Sequence, residues 1–330
     1  MIKSLLCILG LTLLVSNFAY AETSAIDDSA LIGVTEYVNE NYVNLSESDK
    51  ELLISELYNE RISHNNGSKN KASKIAQQEK ELDKAYEAMM EEENYIVSLI
   101  NSMGGNATLS SWEDNLNFLS THYETLSANA ENNIEHVDSY IRAYTIVKEC
   151  ENLPEYKLNT TTTLESSYDY ENAVSYAYDW WDGYNPNYSN WNEYGGDCAN
   201  FVSQCLYAGG EPMIGTDRTS SKSWFSRTTN RDELSKLSDT WIDAGMFRWY
   251  WQDNASGYRK FSKGGIDSYN HTWPGDPVSF LNSSDRAYHT LICVDYDSSI
   301  KETYMACHTP ANDSRPLNTR SGSFIVYNMR

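Results

Sequence analysis

One cysteine of the chain stands where a reactive thiol is expected. Gly195-Gly196-Asp197 precedes Cys198, and Gly209-Gly210 closes the segment that follows. The glycines bracket a predicted helix of about three turns whose first turn contains Cys198. The free N–H groups and the positive dipole end of a helix N-terminus favour thiolate over thiol, and they can donate to an oxyanion. These residues predict a cysteine nucleophile, whereas Cys205, two turns further along the same face, is expected to be a core residue.

A cysteine nucleophile needs a base, which is normally a histidine on a neighbouring element. Residues 288–296 read as a strand that includes His289, and residues 302–309 read as the next strand, which includes His308. If residues 298–301 form the hairpin loop, the two histidines share one face of the sheet as diagonal neighbours. We therefore predict that His289 is the base and that His308 orients it.

Other residues compete for these two roles. Asn312 and Asp313 follow His308 closely, and either side chain offers an alternative orienting group for the base. His271 is a rival base, although the turn signals around it make its position hard to fix. The third catalytic residue is therefore His308, Asn312 or Asp313.

The assumed hairpin register has further consequences. It places Leu291 opposite His308, and a slip of one residue would separate the two histidines. It also puts Cys293 and Cys307 on opposite faces, which argues against a disulfide between them. Five cysteines follow the first twenty residues, and an odd number in an exported protein leaves at least one thiol unpaired.

Four parts of the sequence resemble the putative amidase domain family. They are the run from Gly195 to Gln204, the Pro-Gly-Asp of 274–276 before a predicted strand, the His289 strand, and Cys307-His308-Thr309. That family is similar to the NlpC-type and CHAP-type cell-wall peptidases, a circularly related branch of the papain-like fold. The resemblance covers residues 168–330. It implies a cysteine at a helix start, a histidine on the second strand of the sheet and a polar third residue on the next strand.

The elements that precede this region are predicted to be helical. Apolar residues recur in an unbroken heptad over 109–147, in which only Asn133 is polar. A weaker heptad covers 75–103, and Gly104-Gly105 separates the two runs. The simplest structure is an antiparallel, coiled-coil-like helical hairpin.

The 330 residues divide into four segments. Residues 1–21 read as a secretory signal peptide, with an apolar run and a final Ala19-Tyr20-Ala21 cleavage signature. Residues 22–151 are assigned to the helical hairpin domain. Residues 152–167 show neither helical nor strand periodicity and are assigned to a linker. Residues 168–330 mix helical and strand patterns. The predicted fold class is α+β, with a helical hairpin followed by a domain that the resemblance implies to be papain-like.

Composition and missing motifs exclude several classes of function. The formal net charge is −22 at pH 7, so the chain should be repelled by nucleic acid and by anionic membranes. No stretch after the signal peptide approaches the roughly 20 apolar residues of a spanning helix. Zinc-type Cys/His spacing, Gly-x-Ser-x-Gly, His-Glu-x-x-His and a phosphate-binding glycine loop are all missing. We expect a protein without metal or cofactor, secreted to the cell surface or cell wall.

These observations predict a secreted cysteine amidase or peptidase. Cys198 would attack an amide carbonyl, while His289 would protonate the departing amine and then activate water. The resemblance and the compartment imply peptidoglycan peptides, or another peptide or amide, as substrate. The hairpin is available to a protein partner and is expected to be dispensable for chemistry, because every predicted catalytic residue follows the linker. The alternative is an inactive secreted binding or structural module that uses the hairpin for partner contacts.

Overall fold

A computed structural model describes residues 28–63, 83–129, 132–151, 153, 156–158, 168–309 and 311–330. The N-terminal part of these ranges is helical, and the remainder combines helices with one antiparallel sheet. The α+β class is confirmed. The predicted signal peptide, and the part of the first heptad from 75 to 82, lie outside the described residues.

The helices are α1 (Asp28–Asn41), α2 (Glu47–Ser63), α3 (Asp83–Ser102), α4 (Trp112–Ala128), α5 (Ile134–Cys150), α6 (Tyr170–Trp180), α7 (Cys198–Ala208), α8 (Asp239–Ile242), α9 (Ala244–Asn254) and α10 (Ile266–His271). A short 3₁₀ turn covers Leu234–Lys236. The strands are β1 (Tyr156–Leu158), β2 (Gly257–Phe261), β3 (Pro277–Leu281), β4 (Ala287–Asp297), β5 (Glu302–Cys307), β6 (Asn312–Pro316) and β7 (Phe324–Asn328).

The seven strands form a sheet of order β1-β2-β7-β3-β4-β5-β6, in which every neighbouring pair is antiparallel. β1 belongs to the segment that was predicted to be a linker. Its three residues pair with Gly257 to Arg259 of β2 at the edge of the sheet. The linker prediction is wrong for these residues, because a strand of three residues is too short to show an alternating pattern.

The sheet has two faces with different coverings. The helix face packs against α6, α7 and α9, and its strand residues are Leu281, Ala287, Ile292, Val294, Ala306, Ile325 and Tyr327. The far face belongs to a separate cluster, made of Phe261, Val278, Phe280, Leu291, Cys293, Met305, Cys307, Leu317, Phe324 and Val326. Because side chains alternate along a strand, the face on which a residue lies decides which of the two layers it can contact.

The heptad region forms three helices rather than a hairpin. α4 ends at Ala128, and Asn133 is the N-cap residue of α5. The segment between them is rich in asparagine, whose side chain competes with the helical backbone for hydrogen bonds. α3, α4 and α5 then pack around a common core that includes Ile96, Leu119, Val137 and Tyr144. The hairpin prediction is therefore wrong, although these four core residues are all predicted heptad positions.

The N-terminal helices pack directly onto the sheet-bearing region. Arg61 of α2 is 1% exposed, and its guanidinium carbon lies 3.7 Å from the ring centroid of Trp273. Its Nη2 donates to the carbonyl of Tyr269 at 3.1 Å. Glu60, also in α2, lies 3.1 Å from the guanidinium of Arg330. These contacts attach α2 to the sheet-bearing region, and the dispensability of the helices for chemistry stays a prediction.

The β4–β5 hairpin follows the predicted register only at its turn. Asp297 pairs with Glu302, as expected. A β-bulge at Val294 then shifts the remaining pairs by one place, so that Ile292 lies opposite Ala306. Every side chain of β4 that precedes the bulge faces the side opposite to the predicted one.

The shift separates the two histidines. His289 lies opposite Phe280, a far-face residue, and the two ring centroids are 5.9 Å apart. His308 stacks on Phe201 of α7, on the helix face, with a centroid distance of 4.1 Å. The predictions that Leu291 lies opposite His308 and that the histidines share a face are wrong. The prediction that Cys293 and Cys307 lie on opposite faces is also wrong, because both are far-face residues, although both are free thiols as expected.

Candidate active site

Two glycines turn the chain into α7. Gly195 and Gly196 have φ angles of +93° and +111°, a region that glycine adopts without steric cost. Asp197 is the N-cap residue, but its side chain does not cap the helix. Instead, its Oδ1 accepts from the backbone N–H of Trp191 at 2.8 Å and from Nδ2 of Asn200 at 2.9 Å. The turn before the helix is thereby tied to its first residues.

His308 and Thr309, at the end of β5, hold this turn against the sheet. His308 Nδ1 lies 2.7 Å from Asp197 Oδ2, and its Nε2 lies 2.8 Å from the carbonyl oxygen of Trp180. The backbone N–H of Asp197 donates to Thr309 Oγ1 at 2.9 Å. A carbonyl only accepts, so Nε2 carries a hydrogen, while Nδ1 faces the Asp197 carboxylate. His308 thus positions the residue that precedes Cys198. Both of its ring nitrogens are occupied by these two contacts.

Cys198 is the most exposed cysteine of the described residues. Its side chain is 9% exposed, Cys150 is 4% exposed, and the other three cysteines are fully buried. Burial raises the pKa of Cys198 to about 12, against the opposing effect of backbone hydrogen bonds from Thr290 and Ala199. The resting group is a thiol at neutral pH. The expectation of a resting thiolate is not met, because the loss of solvation outweighs the N–H groups around the sulfur.

His289 is fully buried, and neither of its ring nitrogens has a hydrogen-bond partner among the described residues. Burial lowers its pKa well below the usual range, and the charges of Arg315 and Arg320 lower it further. The imidazole is therefore neutral near pH 7. No hydrogen bond joins this ring to Cys198 or His308. The thiol instead meets the same strand one residue later, at the backbone of Thr290.

The remaining candidates lie elsewhere or face other groups. His271 Nε2 is 3.0 Å from Glu40 Oε2 of α1, so this ring belongs to the contact with the N-terminal helices. Asn312 Oδ1 accepts from the backbone N–H of Ser314 at 2.8 Å. Asp313 is partly buried on β6. No hydrogen bond of the described residues joins any of these side chains to His289.

An open cleft of about 590 Å³ reaches Cys198. One wall is provided by the N-terminal helices and includes Met89, Glu92, Glu135, Asp138 and Arg142. The other wall comes from the sheet-bearing region and includes Trp191, Tyr194, Gly195, Gly196, Arg218 and Tyr288. The sequence had placed every candidate site residue after the linker, so the contribution of the helices to this cleft was missed.

Ion pairs connect the two walls. Arg286, at the start of the β4 hairpin arm, has its Nη1 2.6 Å from Glu92 Oε1 and 3.5 Å from Glu93 Oε1. Arg142 Nη1 of α5 lies 3.6 Å from Asp239 Oδ2 of α8. The first pair is largely buried, whereas Arg142 is half exposed. The cleft is thus bounded by two regions of the chain that charge and packing hold together.

Polar residues of the cysteine motif serve the packing of α7. Asn200 Oδ1 accepts from Trp241 Nε1 at 2.9 Å. Ser203 Oγ donates to the Trp241 carbonyl at 3.0 Å and accepts from Trp224 Nε1 at 3.1 Å. Both tryptophans are fully buried. These polar residues of the motif therefore hold α7 against the two tryptophans.

Within the described part of the chain, no group of three His, Cys, Asp or Glu side chains is arranged to hold a metal ion. No helix in those ranges combines the length and the apolar character needed to cross a membrane.

Comparisons with known proteins point to the same region. A family whose description is "putative amidase domain" matches residues 167–327. Over 131 residues, the chain is 34% identical to the uncharacterized protein YhbB of Bacillus subtilis (strain 168). Those residues are 39% of this chain and 38% of that protein. The chain thus matches about two fifths of that relative's length. No solved structure matches the chain. The domain match indicates amidase-like hydrolysis of a substrate that bears an amide.

Proposed function

We propose that the protein is a secreted cysteine amidase or peptidase that hydrolyses amide bonds in peptidoglycan peptides. The observation that carries the proposal is the position of Cys198. It begins a helix, is the most exposed of the described cysteines, and lines an open cleft within the region that matches the amidase family. A thiol in such a place can reach a carbonyl carbon and act as a nucleophile.

The proposed reaction passes through an acyl-enzyme. The Cys198 thiol transfers its proton to a ring nitrogen of His289, and the sulfur forms a bond to the amide carbonyl carbon. The C–N bond then breaks, and His289 gives the proton to the departing amine. Water attacks the thioester with His289 as base, which releases the acid and restores the thiol. Backbone N–H groups at the start of α7 are suited to stabilise the oxyanion.

His289 is preferred over His308 as the base because its nitrogens are unbonded, whereas both nitrogens of His308 have partners. In the resting state the ring leaves β4 on the far face, while the thiol contacts the backbone of that strand. A rearrangement of β4 must therefore bring them together, because rotation of the side chain alone leaves the ring on the far face. Catalytic hydrogen bonds often become short only when substrate is bound. The ring of His289 has no hydrogen bond to break in such a movement.

A papain-like arrangement and an extracytoplasmic location are parts of the same proposal. The first is supported by a nucleophile-bearing helix that packs against an antiparallel sheet. The second is supported by the signal-peptide pattern of residues 1–21. Peptidoglycan is the abundant amide-linked polymer of that compartment in a bacterium, and B. subtilis is the source of the matched relative.

Digestion of purified cell walls tests the proposal. Walls are incubated with the mature protein, with Cys198→Ala, and with Cys205→Ala as a control that removes another thiol of the same helix. We expect mass spectrometry to detect new peptide fragments with free amines for the mature protein and for Cys205→Ala, and none for Cys198→Ala. Equal release by Cys198→Ala would remove the nucleophile assignment. Wall binding without release by the mature protein would favour the inactive binding module.

A further inference from the structure

Three cationic or basic side chains surround the ring of Phe280 on the far face. The guanidinium carbon of Arg320 lies 3.7 Å from the ring centroid, and that of Arg315 lies 5.6 Å from it. The His289 ring centroid is 5.9 Å away. The strand register agrees with these distances, because His289 lies opposite Phe280 and Arg315 lies opposite the far-face residue Met305.

These groups have unused hydrogen-bonding capacity. In the part of the chain that the structure describes, both ring nitrogens of His289, Nη1 of Arg315 and Nε of Arg320 lack a hydrogen-bond partner. His289 is 0% exposed and Arg315 is 5% exposed. Within the described ranges, no carboxylate lies within 4.0 Å of either guanidinium. Buried Arg286, by contrast, faces Glu92. Burying guanidinium charge without a counter-charge is costly, so these residues call for an explanation.

Two contacts link the cluster to the candidate active site. The Tyr288 hydroxyl, which accepts from Arg320 Nη2 at 2.5 Å, belongs to a residue that lines the cleft with Cys198. Arg315 is hydrogen-bonded to Cys307, and Cys307 is close enough to influence the pKa of Cys198. A single side chain therefore connects the cluster to the candidate active site at each point: Tyr288 at the cleft and Cys307 near Cys198.

We propose that Arg315 and Arg320 bind an oxyanion, and that this oxyanion is a carboxylate of the amide substrate. The planar guanidinium fork matches the two oxygens of a carboxylate. A bound carboxylate would provide the counter-charge that the cluster lacks. The identity of the oxyanion as substrate rests on the proposed function, whereas the presence of an oxyanion site does not.

Binding is measured by calorimetry on the Cys198→Ala protein at constant ionic strength. The ligands are N-acetylalanine, its neutral analogue N-acetylalaninamide, and sulfate. We expect the carboxylate to bind at least about tenfold more tightly than the amide, because the amide leaves charged donors unpaired. Arg315→Met and Arg320→Met, each added to Cys198→Ala, should lose this preference. The control is Arg227→Met, since Arg227 also stacks on a phenylalanine, Phe225, but belongs to another part of the surface.

Thermal unfolding provides a readout that a purely structural arginine would not give. Without ligand, Arg315→Met should unfold at the same temperature as its parent or a higher one, because an uncompensated buried charge is removed. A clear fall in the unfolding temperature of both methionine variants would overturn the proposal, since the arginines would then be needed for folding.

Other outcomes are equally decisive. Equal affinity for N-acetylalanine and its amide would overturn the carboxylate site. Tight sulfate binding that depends on Arg315 and Arg320, but that N-acetylalanine does not displace, would assign the cluster to a resident inorganic anion and overturn the substrate role. Because Cys198→Ala is measured by binding alone, these results are separate from the cell-wall digestion that tests the amidase proposal.

Discussion

Two buried histidines on neighbouring strand ends of one sheet have opposite surroundings. His308 has a partner at each ring nitrogen, at 2.7 and 2.8 Å, and His289 has none at either. Both are at least 97% buried. A buried histidine with full hydrogen bonding stabilises the fold, whereas an unbonded one costs free energy. The difference separates a histidine that positions the turn before Cys198 from one whose unpaired ring nitrogens fit the proposed role of base.

The strongest test of this contrast is His289→Phe. We expect turnover to fall by at least about 10³-fold, because the general base is lost. The free energy of unfolding should stay the same or rise, since two unpaired buried nitrogens are removed. The measurements are kcat on soluble peptides from cell walls and urea unfolding. Near wild-type turnover in this variant would exclude His289 as the base.

The pH dependence of alkylation tests the resting state of the thiol. With the pKa of Cys198 near 12, the thiolate fraction grows about tenfold for each pH unit below that value. We expect the rate of iodoacetamide labelling at Cys198 to rise in this way from about pH 7 to pH 10, and Cys198 to be labelled before the other cysteines. A rate that levels off near neutral pH would indicate a thiolate already paired with an imidazolium. Peptide mapping after partial labelling separates the five sites.

His308→Ala should affect stability more than the His289 substitution and turnover less. Removing one partner of a buried pair leaves the Asp197 carboxylate uncompensated, which costs about 3 kcal/mol. We expect turnover to fall about 10- to 100-fold because the turn before Cys198 loosens. His308→Gln should recover part of both losses, since its amide N–H can donate to Asp197. Asp313→Ala serves as a control. If His308→Ala lost all turnover with unchanged stability, His308 would be the base, and His289 would have the structural role.

The smallest effect is expected on the helical wall of the cleft. Arg142 is half exposed and lies 3.6 Å from Asp239, so Arg142→Ala should cost less than about 1 kcal/mol of stability. The same substitution changes a residue that lines the cleft, and we expect KM to change by a few fold while kcat stays constant. Lys148→Ala, on the exposed side of α5, is the matched control. An unchanged KM would indicate that substrate does not contact this wall.

The sequence was most informative where one local signal determines the structure. The glycine-bracketed helix was predicted, and α7 runs from Cys198 to Ala208. The second strand of the hairpin was predicted at 302–309, and β5 covers Glu302–Cys307. Cys205 was expected to be a core residue and is fully buried. These features depend on turn residues and on periodicity, which a short stretch of sequence carries in full.

The failures came from features that leave no local trace. A bulge of one residue at Val294 preserves the alternation on either side of it, so the sequence pattern is the same with and without the shift. An apolar heptad likewise continues across a break between two helices that pack together, as it does before Asn133. Arg315 and Arg320 lie beside Phe280 because of the order of the strands in the sheet, which cannot be predicted from a single sequence.

The bulge has a consequence for how the gene can vary. Losing the single codon for Val294 would remove the extra residue and leave the pairs on both sides of it in place, with Cys293 opposite Met305 and Asp295 opposite Tyr304. His289 would still lie opposite Phe280. Losing one codon between His289 and Cys293 would instead move His289 by one place in the strand and turn its ring away from the arginines. A one-codon deletion should therefore be tolerated far better at Val294 than at the three residues between His289 and Cys293.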